Sequence, residues 1–254
     1  MKLTLIGNGV MAQSLAKGLI KNHKVEIIGR DENKLKTIQE KIPGITIKIL
    51  DDNEDITDKN ILFCVKPYAL HSVSARLSGK ANMLFSILAG TTLDTLKKQI
   101  EAKHYVRTMP NVAASVQFST TTITGDKEAK TTAVEIFSSI GKAIWVNTEN
   151  QLDIATAIAG SGPAYLALIA EALADGGVKA GLERHTCYEL VQGLMEGTSK
   201  LLKSNHPAII KDSVMSPGGT TAAGVAQLEE GAVRDSMIKA VNKAYEKACE
   251  LGKK

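Results

Sequence analysis

The chain is poor in aromatic residues. One Trp, five Tyr and four Phe among 254 residues make up 4% of it, too few and too scattered to form the stacking platforms that hold single-stranded nucleic acid. No nucleic-acid partner is expected. Cysteine is scarce too: Cys64, Cys187 and Cys249 are far apart and form no CxxC pair, which excludes a disulfide-stapled domain and fits a reduced, cytoplasmic compartment. The five histidines are scattered, and no HExxH or other set at metal-ligand spacing occurs. No metal site is expected. The apolar opening Leu3 to Ile6 is too short for a signal peptide and runs at once into glycines. The longest uncharged run, Ile154 to Ala170, has 17 residues but is interrupted by Gly160, Ser161, Gly162 and Pro163. A buried helix pair is expected there, with no membrane span.

Hydrophobic residues make up 44% and charged ones 23%, the average soluble mixture, and the length allows one large or two modest domains. The net charge of +4 is uneven. Residues 1 to 147 carry 20 basic and 14 acidic side chains, whereas residues 148 to 254 carry 11 and 13. A basic front half suits an anionic ligand, and equally a surface rich in solvated lysine.

The front half alternates short apolar runs with amphipathic stretches. Strands are predicted at Lys2 to Ile6, Lys24 to Ile28, Ile45 to Ile49, Ile61 to Val65, Met83 to Leu88, Tyr105 to Thr108, Thr120 to Thr124 and Ala143 to Val146. Helices are predicted between them at Val10 to Lys21, Asp31 to Lys41, Tyr68 to Leu77, Leu93 to Ile100 and Lys127 to Ser139. This is the pattern of a Rossmann-like, doubly wound α/β domain with a parallel sheet over residues 1–147. Beyond it, residues 148–254 read as an all-α domain, in which Gly176 and Gly177 end one helix, Pro207 precedes another and the Ser216 to Gly219 loop starts the next. Ile154 to Leu173 is apolar nearly all round. A helical core shared between subunits is expected, hence a homodimer or higher homo-oligomer.

The first predicted strand runs straight into Gly7-Asn8-Gly9-Val10-Met11-Ala12 and then a helix. This is the G-x-G-x-x-A form of the dinucleotide fingerprint in its required context: Gly7 for the tight turn, Gly9 for close approach of backbone to a pyrophosphate, and Ala12 for helix-to-strand packing. The second strand ends in Gly29-Arg30, so a guanidinium stands where NAD enzymes place a carboxylate. NADPH is favoured. NADH stays open, because Asp31 and Glu32 follow at once and either repel a 2′-phosphate or complement a helix dipole.

The C-terminal half offers no obvious acid and base pair, which leans toward C=N reduction, since a protonated imine needs chiefly a hydride and orientation. Its most informative segment is Ser216-Pro217-Gly218-Gly219-Thr220-Thr221 ahead of a helical pattern. Backbone amides near Gly219 and Thr220, with the Ser216 and Thr221 hydroxyls, would hold a small carboxylate. A plain turn with a Thr cap reads equally well.

Several motifs, in order along nearly the whole chain, resemble those of pyrroline-5-carboxylate reductases. They are Gly7-Asn8-Gly9-Val10-Met11, Val65-Lys66-Pro67, Ala89-Gly90, Met109-Pro110-Asn111, Gly160-Ser161-Gly162-Pro163-Ala164-Tyr165, Glu171 to Val178, and Ser216 to Thr221 with Ala223-Gly224-Val225. The resemblance implies an NADPH-dependent reductase of 1-pyrroline-5-carboxylate to proline that assembles through its helical domain. It implies that Ile6, Gly7, Asn8, Gly9, Val10 and Met11 cradle the pyrophosphate, with Arg30 at the 2′-phosphate and Asn53 near the adenosine. Val65, Lys66 and Pro67 would flank the cofactor ribose, and Ala89 and Gly90 the nicotinamide. Ser216, Gly219 and Thr220 would anchor the substrate carboxylate, and Thr221, as the catalytic contact, would hydrogen-bond the ring nitrogen. The chain departs from the family pattern after Asn111, where Val112 to Ser119 carries neither proline nor glycine, and at Ala159, where a serine is frequent. Two alternatives remain open on the sequence: a β-hydroxyacid dehydrogenase or other imine reductase, with Lys179 as the catalytic lysine in the first, and a non-catalytic NADP-binding regulator.

Overall fold

A computed structural model describes residues 1–252. Its main sheet has eight strands, in the spatial order β10, β9, β8, β7, β5, β1, β2, β3. The strands are β1 (Lys2–Ile6), β2 (Lys24–Gly29), β3 (Thr46–Ile49), β5 (Asn60–Phe63), β7 (Ala81–Ser86), β8 (Ala102–Met109), β9 (Ser119–Gly125) and β10 (Gly141–Trp145). Two further short strands, β4 (Glu54–Asp55) and β6 (Leu77–Ser78), pair with each other. At two residues each they leave no periodicity to read in the sequence.

The central strands are apolar along their length because both faces are covered. One core cluster gathers Leu3, Leu5, Ile27 and Phe85 with Leu15 and Leu19 of helix α1 (Val10–Leu19) and Phe137 of α5 (Lys130–Ser138). The other gathers Ile6, Ile28, Phe63 and Leu84 with Leu70 and Val73 of α3 (Leu70–Ser74) and Leu96 of α4 (Leu93–Gln99). Helix starts are capped locally: Asp31 accepts from the Lys34 amide at the head of α2 (Glu32–Lys41), and Thr148 from the Gln151 amide at the head of α6 (Glu149–Ala155).

Several expectations are corrected. The sheet is not wholly parallel, since β8 pairs with β9 antiparallel. The Pro110 to Phe118 connection, a 3-10 turn over Val112–Val116 closed by Gln117 at φ 62°, is shorter than the dozen or more residues that a parallel crossover needs. The helix expected over Tyr68 to Leu77 is a 3-10 turn at Pro67–Ala69 followed by α3, and Leu77 belongs to β6. Gly176 and Gly177 do not end a helix: α7 spans Gly162–Lys179, and a Cβ on Gly177 would lie 2.7 Å from the Cys187 sulfur, so small size at that position lets the neighbouring helix approach.

The chain forms two compact units, residues 1–161 with 243 onward and residues 162–242. The second holds α7, α8 (Arg184–Leu201), α9 (Pro207–Ser213), α10 (Thr220–Glu230) and the start of α11 (Val233–Gly252). Its core is small, centred on Ala174, Cys187 and Val191. The expected buried helix pair is a single helical run, Glu149–Lys179, long and apolar enough in composition to cross a membrane, yet only 11% of its apolar window is buried. Its interruption is one widened π-turn at Thr156–Gly160, and Ile158, Leu166 and Leu168 stand exposed.

Candidate functional site

The turns that leave β1, β2, β5 and β7 all emerge at the C-terminal edge of the parallel strands, where open α/β sheets bind ligands. The ladder continues into them, with the Gly7 amide on the Ile28 carbonyl and the Cys64 amide on the Ile6 carbonyl, both at 2.8 Å. The first turn requires glycine. Gly7 has φ +118°, and a Cβ there would meet the Cys64 carbonyl oxygen at 2.6 Å, whereas a Cβ on Gly9 would have nothing within 4 Å. Gly9 is the N-cap of α1 and uses no side-chain cap. Its amides therefore border open space at a helix N-terminus.

That space is a cleft of about 270 Å³, lined among others by Ile6, Gly7, Asn8, Gly9, Arg30 and Lys66. Val65 lines it as well. The lining includes three cations, Arg30, Lys34 and Lys66, and no carboxylate. The two acidic residues after Arg30 serve the helix: Asp31 caps α2 and Glu32 pairs with Lys36 at 2.8 Å. Cys64 also lines the cleft, and burial pushes its thiol well above the ordinary range, so the sulfur stays protonated and is no nucleophile. An anionic dinucleotide fits this lining: unfilled space over Gly9 for a pyrophosphate, and Arg30 and Lys34 for a further phosphate.

The expected cofactor residues do not all gather in this cleft. Val10 is 73% exposed on the first turn of α1, and Met11 packs on the core. Asn53 sits exposed in the turn between β3 and β4. The segment lends Leu50 to the cleft instead, because the Leu50 amide donates to the Gly29 carbonyl while Arg76 holds the Leu50 carbonyl at 2.7 Å and the Asp52 carboxylate at 2.9 Å. Pro67 and Gly90 line an adjoining hollow of about 570 Å³, bounded on one side by Leu251 and Gly252. Ala89, half-buried, precedes Gly90 in the same turn. Tyr68, 88% exposed, borders both spaces. Neither Lys34 nor Tyr68 was among the residues singled out by sequence. Lys34 lies in the first turn of α2, just after Arg30, and lines the same cleft, and Tyr68 directly follows Val65-Lys66-Pro67.

In the second unit, Ser216 to Gly219 turns into α10, with Gly219 as its N-cap. The Gly219 amide is already spent on the Ser216 carbonyl at 2.9 Å, so the amides that open toward solvent are those of Thr220, Thr221 and Ala222. A Cβ on Gly219 would run into the Ser216 hydroxyl. Among the described residues, the hydroxyls of Ser216, Thr220 and Thr221 have no hydrogen-bond partner. Lys179 is an exposed residue at the end of α7.

Two family models match the chain. Residues 149–251 match pyrroline-5-carboxylate reductase dimerisation, and residues 2–90 match NADP oxidoreductase, coenzyme F420-dependent. The pyrroline-5-carboxylate reductase of Synechocystis sp. is 40% identical over 267 residues, covering 100% of this chain and 99% of the relative. That of Pisum sativum is 35% identical, covering 98% and 95%. The crystal structure of Plasmodium falciparum pyrroline carboxylate reductase with NADP bound superposes with a TM-score of 0.84 at 28% identity, covering 99% of this chain and 100% of that one. The Streptococcus pyogenes 1-pyrroline-5-carboxylate reductase gives 0.85 at 30% identity, covering 98% of each. With identity of this order from end to end and a dimerisation domain in the second half, the chain belongs to the pyrroline-5-carboxylate reductase family.

Proposed function

We propose that the protein reduces 1-pyrroline-5-carboxylate to proline with NADPH, the last step of proline biosynthesis. What supports this reading most is the full-length similarity to relatives named for that reaction, joined to a cleft with three cations and no carboxylate. NADPH, when bound, supplies the hydride. Ile6 to Met11 border its pyrophosphate, Gly9 by leaving space and α1 by its N-terminus. Arg30, with Lys34 beside it, takes the 2′-phosphate, the group that separates NADPH from NADH. Val65, Lys66 and Pro67 flank a ribose, Leu50 borders the adenosine side in place of the exposed Asn53, and Ala89 and Gly90 face the nicotinamide.

Residues 148–254 hold the substrate and the contacts between copies, and residues 1–147 the cofactor. The Thr220 amide and the Ser216 hydroxyl hold the substrate carboxylate at the start of α10, and bare Gly219 keeps the approach open. The Thr221 hydroxyl bonds the ring nitrogen. As the imine carbon accepts the hydride, the C=N π electrons withdraw onto a nitrogen that is already protonated, so the chain supplies placement and no proton donor is required. The three cysteines are free, which supports a reducing, cytoplasmic setting.

The experiment is loss of NADPH absorbance when 1-pyrroline-5-carboxylate is added to the purified protein, with proline identified as product. Turnover is the expected result. Binding of NADPH without oxidation by this imine overturns the reading in favour of another imine or keto acid, and silence across such a panel favours a regulator.

A further inference from the structure

The turn Ala89–Thr92, which joins β7 to α4, is held by a charged group that the reaction itself does not use. Arg107 lies on β8, beside β7, and is only 1% exposed. Its guanidinium donates through Nη1 to Glu149 Oε1 at 2.9 Å and through Nη2 to Asp153 Oδ1 at 2.8 Å. The same Glu149 oxygen accepts the backbone N–H of Leu93, the first residue of α4, at 2.9 Å. Asp153, one turn along α6, shares the guanidinium but makes no bond to the turn. A buried guanidinium is costly to leave unpaired, so Arg107 fixes where the Glu149 carboxylate stands, and that carboxylate fixes the start of α4. On its other side the turn meets the end of α11: a Cβ on Gly90 would lie 2.7 Å from the Gly252 nitrogen and 2.9 Å from the Ala248 carbonyl oxygen.

We propose that Glu149, oriented by Arg107, is a positioning residue for hydride transfer: it sets the height of the Ala89–Thr92 turn against which the nicotinamide half of the cofactor lies. This rests on the NADPH reductase reading above. Hydride transfer depends steeply on the distance between donor and acceptor carbons, while phosphate contacts at Gly9 and Arg30 do not sense a small shift of a turn two and three strands away respectively.

The test uses the full chain with Glu149→Ala, Glu149→Gln and Asp153→Ala. Amide hydrogen exchange at Leu93, NADPH affinity, and kcat with 1-pyrroline-5-carboxylate are read for each. Glu149→Ala is expected to lose Leu93 protection and about tenfold in kcat, with NADPH affinity changed by less than about twofold. Glu149→Gln retains an oxygen for the Leu93 amide and recovers most of kcat. Asp153→Ala leaves the same guanidinium half-paired, and so loses comparable thermal stability, yet keeps Leu93 protection and kcat. Equal loss of kcat in Asp153→Ala, or unchanged Leu93 protection in Glu149→Ala, overturns the proposal. Absence of turnover in the unsubstituted protein overturns the reductase reading instead, and the Leu93 exchange, which needs no substrate, tells the two failures apart.

Discussion

Gly7 and Gly9 stand two residues apart in one turn, and a side chain at each meets opposite surroundings. At Gly7 it meets backbone at 2.6 Å and a φ of +118°, so Gly7→Ala is expected to cost about 2 kcal/mol or more of stability, read as a lowered thermal midpoint. At Gly9 it meets only open space. Gly9→Val should therefore keep the midpoint and weaken NADPH binding at least about tenfold by filling the pyrophosphate site; normal binding, followed by fluorescence titration, would refute the cradle. Both glycines and the division of roles between them are legible in the sequence as a motif, but the atom that bars a side chain at Gly7, the Cys64 carbonyl oxygen, lies 57 positions away along the chain. Arg30 is legible for a similar reason, as the end of a predicted strand. Arg30→Ala is expected to raise the KM for NADPH about tenfold and leave that for NADH unchanged, and parallel steady-state kinetics with the two cofactors check it. Lys34 escapes a reading by motif because its role comes from the helix that Asp31 caps, which turns it back toward Arg30.

At the scale of elements, the strands of the main sheet follow from periodicity, while the direction of β9 does not. Apolar alternation is the same for a parallel and an antiparallel strand, and what decides the direction is the length and shape of the connection after Met109. Asn111 is the hinge of that connection. Its side chain accepts from the Ala113 amide at 3.1 Å and donates to the Ala159 carbonyl at 3.0 Å. That carbonyl has no helical partner four residues on, because position 163 is proline and lacks an N–H. The asparagine thus satisfies a carbonyl that a proline fifty-two positions away leaves free. Asn111→Ala is expected to cost about 1 to 3 kcal/mol, seen as an earlier urea midpoint with an unchanged slope; an unchanged midpoint would show that water replaces the side chain at Ala159. Gln117, not glycine, takes the left-handed position that closes the turn. Its side chain accepts from Lys21 at 2.7 Å and donates to the Ser139 carbonyl at 3.2 Å, contacts between segments that no local pattern announces.

At the scale of the whole molecule, the helices of the second unit keep large apolar side chains outside, Leu168 at 67% exposure among them. A dimerisation model matches these residues, and a second copy is expected to cover side chains of this kind. Leu168→Asp is expected to shift the protein toward monomer in sedimentation equilibrium and, with the assembly lost, to lower its thermal midpoint; an unchanged oligomer would place the contact elsewhere on the helices. The sequence alone determined the order of the eight strands of the main sheet, the glycine turn after β1, the guanidinium after β2 and the apolar character of residues 154–173. These follow from neighbours in the chain, through side-chain period, turn chemistry and composition. Only the tertiary structure decided that Asp31 and Glu32 serve α2 and leave the cleft to cations, that Asn53 turns away while Leu50 enters, and that Arg107 reaches Glu149 and Asp153. The last two outcomes are contacts between segments tens of residues apart, selected by burial and by the cost of leaving a buried charge unpaired, which the local order of residues does not encode.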